Sequence, residues 1–233
     1  MERFGGPAHG VGSKSSATDL VSDADRDSEE LIRDMLARER PEDGLLAEEG
    51  TSTSGDSGRR WVFDPLDGTV SYLYGYPHWC VSVALEDAVG TAVGVVYDPN
   101  RDELFAAEHG SGATLAGEPI SVRETPPLAQ ALVATGFGYD ATWRAQQAEV
   151  VRRLLPAVRD IRRAGSAALD LSWLAAGRLD AYYERGLNAW DWAAGSLLVA
   201  EAGGAVEKLD DEPFGLIAGP APLVAALRPL VEA

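Results

Sequence analysis

The segment Trp61-Val62-Phe63-Asp64-Pro65-Leu66-Asp67-Gly68-Thr69 joins a short apolar run to two carboxylates three residues apart. Trp61 to Phe63 reads as a strand. Beyond it, Pro65 fixes one backbone angle and Gly68 permits one that other residues avoid. Carboxylates at i and i+3 on a strand end can converge on one cation. Hard oxygen ligands of this kind suit Mg²⁺, which takes one or two carboxylates with waters and a substrate phosphate. A helical turn starting at Gly68 and Thr69 would leave their backbone N–H groups free for a phosphate. The alternative for this segment alone is an Asx-turn with no ligand. Two more acidic spots shift the balance. Glu48-Glu49-Gly50 follows the apolar Leu45-Leu46-Ala47, and Trp190-Asp191-Trp192-Ala193-Ala194-Gly195 opens an apolar helix. Read singly, Asp191 is a helix N-cap and Glu48 a solvated carboxylate. Three acidic sites, each following or opening an apolar element, favour a shared cation.

Working outward from the motif, Ser22 or Asp23 caps a helix running to about Arg38, with acidic residues in its first turns. Leu31, Ile32, Met35 and Leu36 are expected on one face of it. Gly50 to Arg59 is a polar loop. After the motif, strands are expected at 81–85, 93–97, 104–107 and 120–122. Their turns are Asp98-Pro99-Asn100 and Gly117-Glu118-Pro119. This half reads as a mostly antiparallel meander. The second half alternates: strands at 132–135, 160–162, 179–183 and 216–218, helices at 142–155, 167–176, 190–202 and 220–231. That alternation argues for an α/β layer arrangement. The polar, Pro-containing stretch 123–130 suggests a division into 1–126 and 127–233.

Composition narrows the class. The 233 residues are 45% hydrophobic and 24% charged, ordinary for a globular chain. Lys and Arg total 20 against 37 Asp and Glu, a formal charge of −17. Such a chain is a poor binder of nucleic acid or of an anionic membrane. No apolar run suits a bilayer span, and Met1 to Ser13 lacks the apolar core of a signal peptide, so a cytoplasmic protein is expected. Met1 to Ser16, rich in Gly and Ser, is expected to be mobile. The single Cys80 excludes an intrachain disulfide and reads as a small buried hydrophobe. His78 reads as a packing residue, and His9 and His109 carry no signal. Trp173, Trp190 and Trp192 read as core. The basic run Arg159, Arg162 and Arg163 reads as a solvated or interface feature.

Haloacid-dehalogenase phosphatases place their aspartates at i and i+2, so the i, i+3 spacing speaks against an aspartyl-phosphate mechanism. The combined motifs instead resemble the inositol monophosphatase family of metal-dependent sugar phosphatases. Besides the three segments above, Lys14-Ser15 through Asp19-Leu20-Val21-Ser22-Asp23-Ala24-Asp25 matches. So does Gly165-Ser166-Ala167-Ala168 leading to Asp180-Ala181-Tyr182-Tyr183-Glu184. Order and spacing agree from about Lys14 to Gly204.

The resemblance implies an α/β fold, a layered α-β-α-β-α sandwich with the site between two halves. It implies Glu48, Asp64 and the Leu66 carbonyl as ligands of a first Mg²⁺. Asp64, Asp67 and Asp191 would hold a second, and a third would lie near Glu48, with Lys14 close by. Asp25 would hydrogen-bond Thr69 and, with Glu48, orient a metal-activated water. Gly68 and Thr69 would meet the phosphate. Asp67, Gly165, Ser166, Ala167, Glu184 and Asp191 would border the substrate, Glu184 facing inositol hydroxyls. The implied activity is Mg²⁺-dependent, lithium-sensitive hydrolysis of myo-inositol 1-phosphate by a homodimer. Histidinol phosphate and fructose bisphosphate are alternative substrates. A 3′-phosphoadenosine nucleotide would require basic residues that the pocket segments offer sparingly. A binding partner of the transcription machinery is the alternative from another class. Three departures stand out. The family's long first helix is not expected before Lys14, because Gly5, Gly6, Pro7, Gly10 and Gly12 make a poor helix. That absence would leave an apolar face of the first sheet or first helix uncovered. Ser71 replaces a common Asn, and Asn188 a common His.

Overall fold

In the computed structural model, which describes residues 4–5, 9–14 and 20–232, a short pair, β1 (Gly12–Ser13) and β2 (Leu20–Val21), leads into the first helix. Expectations for residues 1–3, 6–8 and 15–19, among them Ser15 and Asp19 of the matching segment, lie outside the described residues. Ser22 caps α1 (Asp23–Glu39): its Oγ accepts from Ala24 N at 3.2 Å, and Asp25 Oδ2 accepts from Ser22 N at 2.9 Å. This reciprocal capping satisfies two donors that a helix start otherwise leaves orphaned.

The inward face of α1 differs from the expected apolar one. Leu31 and Met35 point outward, 62% and 52% exposed. Asp25 and Glu29 are buried instead, with Ile32 and Leu36 half-buried on the same side. Positions 25, 29, 32 and 36 follow helical spacing. The polar pair takes the inner positions because it bonds the loops beneath.

Eight strands form the first sheet: β3 (Gly44–Ala47), β4 (Ser52–Thr53), β5 (Arg60–Asp67), β6 (Cys80–Glu86), β7 (Thr91–Asp98), β8 (Glu103–Glu108), β9 (Gly112–Leu115) and β10 (Glu118–Pro119). Their order is β10-β9-β8-β7-β6-β5-β3-β4, antiparallel except for the parallel β3–β5 pair. A short helix, α2 (Thr69–Leu73), follows β5. The expected strand at 120–122 does not form. Ile120 N bonds to Ala113 O, but Val122 N reaches Ala202 O, both at 3.0 Å, because the chain is already leaving the sheet.

The second sheet takes β11 (Leu132–Thr135), β12 (Asp160–Arg162), β13 (Ala181–Arg185), β14 (Ala205–Lys208) and β15 (Gly215–Gly219) in the order β12-β11-β13-β15-β14. The first three are parallel, and β15 is antiparallel to both neighbours. Helices α3 (Ala141–Leu154) and α6 (Ala221–Val231) cover its outer face through Val133, Leu154, Ile217 and Leu227. Helices α4 (Ala167–Ala175) and α5 (Ala189–Glu201) lie between the sheets. One core unites Val62 and Phe105 of the first sheet, Leu171 and Leu198 of these helices, and Tyr182 of the second sheet. On the far side of the first sheet, α1 and α2 complete an α-β-α-β-α stack.

The middle layer is tight. A Cβ on Gly94 of β7 would lie 2.8 Å from Ala194 O of α5, closer than real side chains come. Gly94→Ala should therefore lower stability by about 1–3 kcal/mol, read as a lower urea midpoint. An unchanged midpoint would show that the two elements are not held at this distance.

Candidate active site

An ideal strand would turn Asp64 and Asp67 to opposite faces, because side chains alternate with period two. Here β5 loses register with β6. Asp64 pairs with Ser82 and Asp67 with Cys80, so three steps on one strand face two on the other. The irregularity breaks the alternation and lets both carboxylates line one cavity. Gly68 then turns the chain with φ 101°, a left-handed angle that favours glycine, and α2 starts at Thr69. The Gly68 and Thr69 N–H groups precede the helix's own ladder.

The buried acids of α1 hold this turn and the next loop in place. Thr69 Oγ1 donates to Asp25 Oδ1 at 2.8 Å, and Ser28 Oγ donates to Pro65 O at 3.0 Å. Glu29 accepts from Glu49 N at 2.8 Å and from Thr51 Oγ1 at 2.6 Å. The loop carrying Glu48 thus hangs on Glu29. Lys14 Nζ lies 2.8 Å from Glu48 and 2.5 Å from Glu49. Burial opposes its charge, but the two carboxylates overcome that and raise its pKa.

The middle-layer helices supply the other wall. Ser166 caps α4, accepting from Leu169 N at 3.2 Å, and donates to Asp67 Oδ2 at 2.8 Å. Ala168 N donates to the same oxygen at 2.8 Å, so Asp67 sits on the start of α4. Asp191 lies in the third position of α5, not at its cap as the reading of that residue alone had it. Asn188 is the cap, and its N–H donates to Asp191 Oδ2 at 2.6 Å. Glu184, at the end of β13, accepts from Tyr182 Oη at 2.8 Å.

These elements enclose a cavity of about 590 Å³ lined by Glu48, Asp64, Asp67, Asp191, Glu184 and Lys14, with Leu66, Gly68 and Thr69 at its base and Gly165 and Ala167 in the wall. Ser166 and Asp25 stand behind that surface, buried. Two cations that the sequence reading missed, Arg163 and Arg185, also line it. Arg163 is exposed, as the reading of its basic run expects, and just past the end of β12 at Arg162 it also lines this cavity. The signal for Glu29 was the 25/29/32/36 spacing on α1. The packing residues behave as expected. His78 is buried against Trp173 with ring centroids 5.1 Å apart, its Nε2 3.2 Å from Asp170. Cys80 is fully buried, its Sγ 3.4 Å from Ser166 Oγ. Ser71 Oγ donates to Ala164 O at 3.3 Å.

The electrostatics follow from this crowding. Burial, then the charges of Glu48, Asp67 and Asp191, raises the pKa of Asp64. Burial lifts Asp67 to about 7, outweighing its bonds from Ala168 and Ser166. Asp191 is raised by burial and then by Asp67. Glu184 is pushed up to about 8, chiefly by burial. Such a set of hard oxygen donors fits a hard divalent cation, which would neutralise the repulsion. Among the described residues no three acidic, His or Cys side chains are drawn into a formed metal cluster. One oxygen each of Asp64, Asp67 and Asp191 is bound instead to Leu66 N, to Ser166 and Ala168, and to Asn188 N.

A pH dependence follows. In the unfolded chain these carboxylates ionise near 4. Their raised folded values give stability that is full below that pH and is lost as pH rises through about 7 for Asp67 and about 8 for Glu184. Metal-free protein should therefore lose melting temperature as pH rises from about 4 to about 8 and level off above that, and Mg²⁺ should restore more of it at the higher pH. A flat profile in chelator would contradict the crowding. A second expectation concerns Glu29. Glu29→Gln should speed amide hydrogen exchange at Glu49 and Thr51 by about tenfold or more while α3 stays unchanged. Equal rates would free that loop from Glu29.

Comparison with known proteins agrees with this architecture. The sequence pattern of the inositol monophosphatase family matches residues 1–231. Inositol-1-monophosphatase SuhB of Mycobacterium tuberculosis (strain ATCC 25618 / H37Rv) is 45% identical over 216 residues, 88% of this chain and 74% of that protein. Nus factor SuhB of Xylella fastidiosa is 43% identical over 230 residues, 94% of this chain and 83% of that protein. The crystal structure of extragenic suppressor protein suhB from Bartonella henselae superposes with a TM-score of 0.89 at 39% identity, covering 95% of this chain and 88% of that one. A whole-chain match, a shared fold and a carboxylate-lined cavity together make the chain a phosphatase, a phosphoric monoester hydrolase that belongs to the inositol monophosphatase family.

Proposed function

We propose that this protein is a Mg²⁺-dependent phosphomonoesterase acting on myo-inositol 1-phosphate. One observation carries the reading: Glu48, Asp64, Asp67 and Asp191, from three distant parts of the sequence, line a single cavity above Thr69. Glu48, Asp64 and the Leu66 carbonyl would hold one Mg²⁺, and Asp64, Asp67 and Asp191 a second. When bound, the metal supplies positive charge that acidifies a water, screens the phosphate and steadies the leaving oxygen. The chain's own residues do the rest. Thr69 Oγ1 donates to Asp25 Oδ1, so Thr69 would be left to accept from an attacking water, and a proton could pass through it to Asp25. Glu48 would accept from the same water. The Gly68 and Thr69 N–H groups receive phosphate oxygens. Asp67, Gly165, Ser166, Ala167 and Asp191 shape the substrate side, Ser166 through its hold on Asp67.

Support for an inositol substrate comes from Glu184 and from the name of the Mycobacterium tuberculosis relative. Support for a bisphosphate alternative comes from Arg163 and Arg185 in the wall. Histidinol phosphate, with its cationic amine, would also suit Glu184. The name of the Xylella fastidiosa relative supports a second reading, a partner of the transcription machinery. Homodimerisation, cytoplasmic placement and the division into 1–126 and 127–233 belong to the proposal on the strength of the sequence alone.

The decisive experiment measures phosphate release from inositol 1-phosphate, fructose bisphosphate and histidinol phosphate with and without Mg²⁺. Asp67→Asn and Asp191→Asn should each cut turnover at least about 100-fold with the fold intact, and Li⁺ at millimolar levels should inhibit by displacing the second Mg²⁺ with a weaker charge. Metal-independent turnover would overturn the reading, and no turnover on any phosphate would favour the binding partner. For Glu184→Gln, selectivity for inositol phosphate over an aryl phosphate should fall by about tenfold. Equal losses on both would assign Glu184 to structure.

A further inference from the structure

Glu184 reaches the carboxylate cavity from the end of β13, and two residues that do not themselves line that cavity hold its carboxylate in place. The first is Tyr182. Side chains alternate along a strand, so Tyr182 and Glu184 share one face of β13 and Tyr183 turns to the other. Tyr182 is fully buried in the core between the sheets, whereas Tyr183 packs in the outer core. The Tyr182 hydroxyl donates to Glu184 Oε2 at 2.8 Å. A buried phenol needs a partner for its O–H, and here that partner is a carboxylate on a cavity wall. One oxygen of Glu184 is thus held from behind, while Oε1 accepts no hydrogen bond from any described residue.

The second is Gly136, which directly follows β11. That strand runs parallel to β13 with Thr135 beside Tyr183, so the next step along both sets Gly136 beside Glu184. On the other side, β15 pairs Leu216 with Glu184. A Cβ on Gly136 would overlap Oε1, Cδ and Oε2 of Glu184 alike. Gly136 does not take a left-handed φ, so its backbone angle does not call for glycine. The space occupied by the carboxylate does.

We propose that Gly136 and Tyr182 are specificity-determining positioning residues: they seat the Glu184 carboxylate with Oε2 fixed and Oε1 left to accept from a substrate hydroxyl, and so set the preference for a polyol phosphate. The proposal rests on the reading above that Glu184 meets inositol hydroxyls. A glutamate side chain has many rotamers, and ordering it on binding costs affinity. The seat removes that cost before the substrate arrives. A carboxylate aimed in advance then forms a charge-assisted hydrogen bond that an aryl group cannot answer. Neither residue lines the cavity, so each acts through Glu184.

The test measures kcat/KM of the full chain with Mg²⁺ on inositol 1-phosphate and on an aryl phosphate, and takes the ratio as the selectivity. Tyr182→Phe, which keeps the ring and its packing, should lower the ratio by about three- to tenfold, and Gly136→Ala, which pushes the carboxylate aside, by about tenfold. The loss should fall on KM for inositol 1-phosphate rather than on kcat. In a Glu184→Ala background neither change should lower the ratio further by more than about twofold, because residues that act through one group are not additive. Melting temperatures check that every variant is folded, and a crystal structure of Gly136→Ala should show the Glu184 carboxylate displaced. A wild-type chain with no preference for inositol 1-phosphate, or a Glu184→Ala variant that keeps the preference, would overturn the reading on which the proposal rests and the proposal with it. If Glu184→Ala loses the preference, the proposal alone is overturned by an unchanged ratio in Tyr182→Phe or Gly136→Ala, by full additivity with Glu184→Ala, or by an unmoved carboxylate in Gly136→Ala.

Discussion

Four carboxylates share one desolvated cavity, and their mutual repulsion is the constraint around which the chain is arranged. A lone buried carboxylate can find a hydrogen bond or take a proton. Asp64, with Glu48, Asp67 and Asp191 around it, can do either only at the expense of its neighbours. The charge of a divalent cation would answer that repulsion at one stroke, and a phosphate monoester would then find a positive surface in an otherwise acidic protein. The fold must hold these groups close against their electrostatic preference.

It does so with devices of different kinds. A register break in β5 puts Asp64 and Asp67 on one side. The start of α4 grips Asp67 through Ser166 and Ala168. The capped start of α5 places Asp191, and the buried acids of α1 fix both Thr69 and the Glu48 loop. Helix N-termini favour negative charge, so two of the four carboxylates sit where backbone dipoles offset part of the repulsion. The shared core between the sheets makes the cavity an intersection of layers, which is why its carboxylates come from distant stretches of sequence.

The motif segments were legible because their chemistry is local. Gly68 announces a left-handed turn, and Ser22 with Asp25 announces a helix start. The alternating second half announces α/β layering. The fold class and most helices could be read in this way, with ends shifted by a residue or so. Other features depend on contacts that the chain makes far away. Leu31 and Met35 pattern as a buried face, yet Asp25 and Glu29 displace them because the loops below need acceptors. The strand expected at 120–122 lost to the crossing toward Ala202. Arg163 is exposed, as its basic run suggests, but its place at the cavity wall follows only from the turn after β12. The register break between Asp64 and Asp67 left no local signature beyond Pro65, although it decides whether the two carboxylates can cooperate.

The central claim is that these carboxylates share bound cations. It is tested most directly by crystals grown with Mn²⁺ in place of Mg²⁺ and measured at a wavelength where manganese scatters anomalously. The account predicts anomalous peaks inside the cavity, with oxygens of Asp64, Asp67 and Asp191 about 2.0–2.2 Å from one of them, near octahedral bond lengths for a small divalent ion. Saturating Mn²⁺ with no peak between these residues, or a peak held by other side chains, would contradict it.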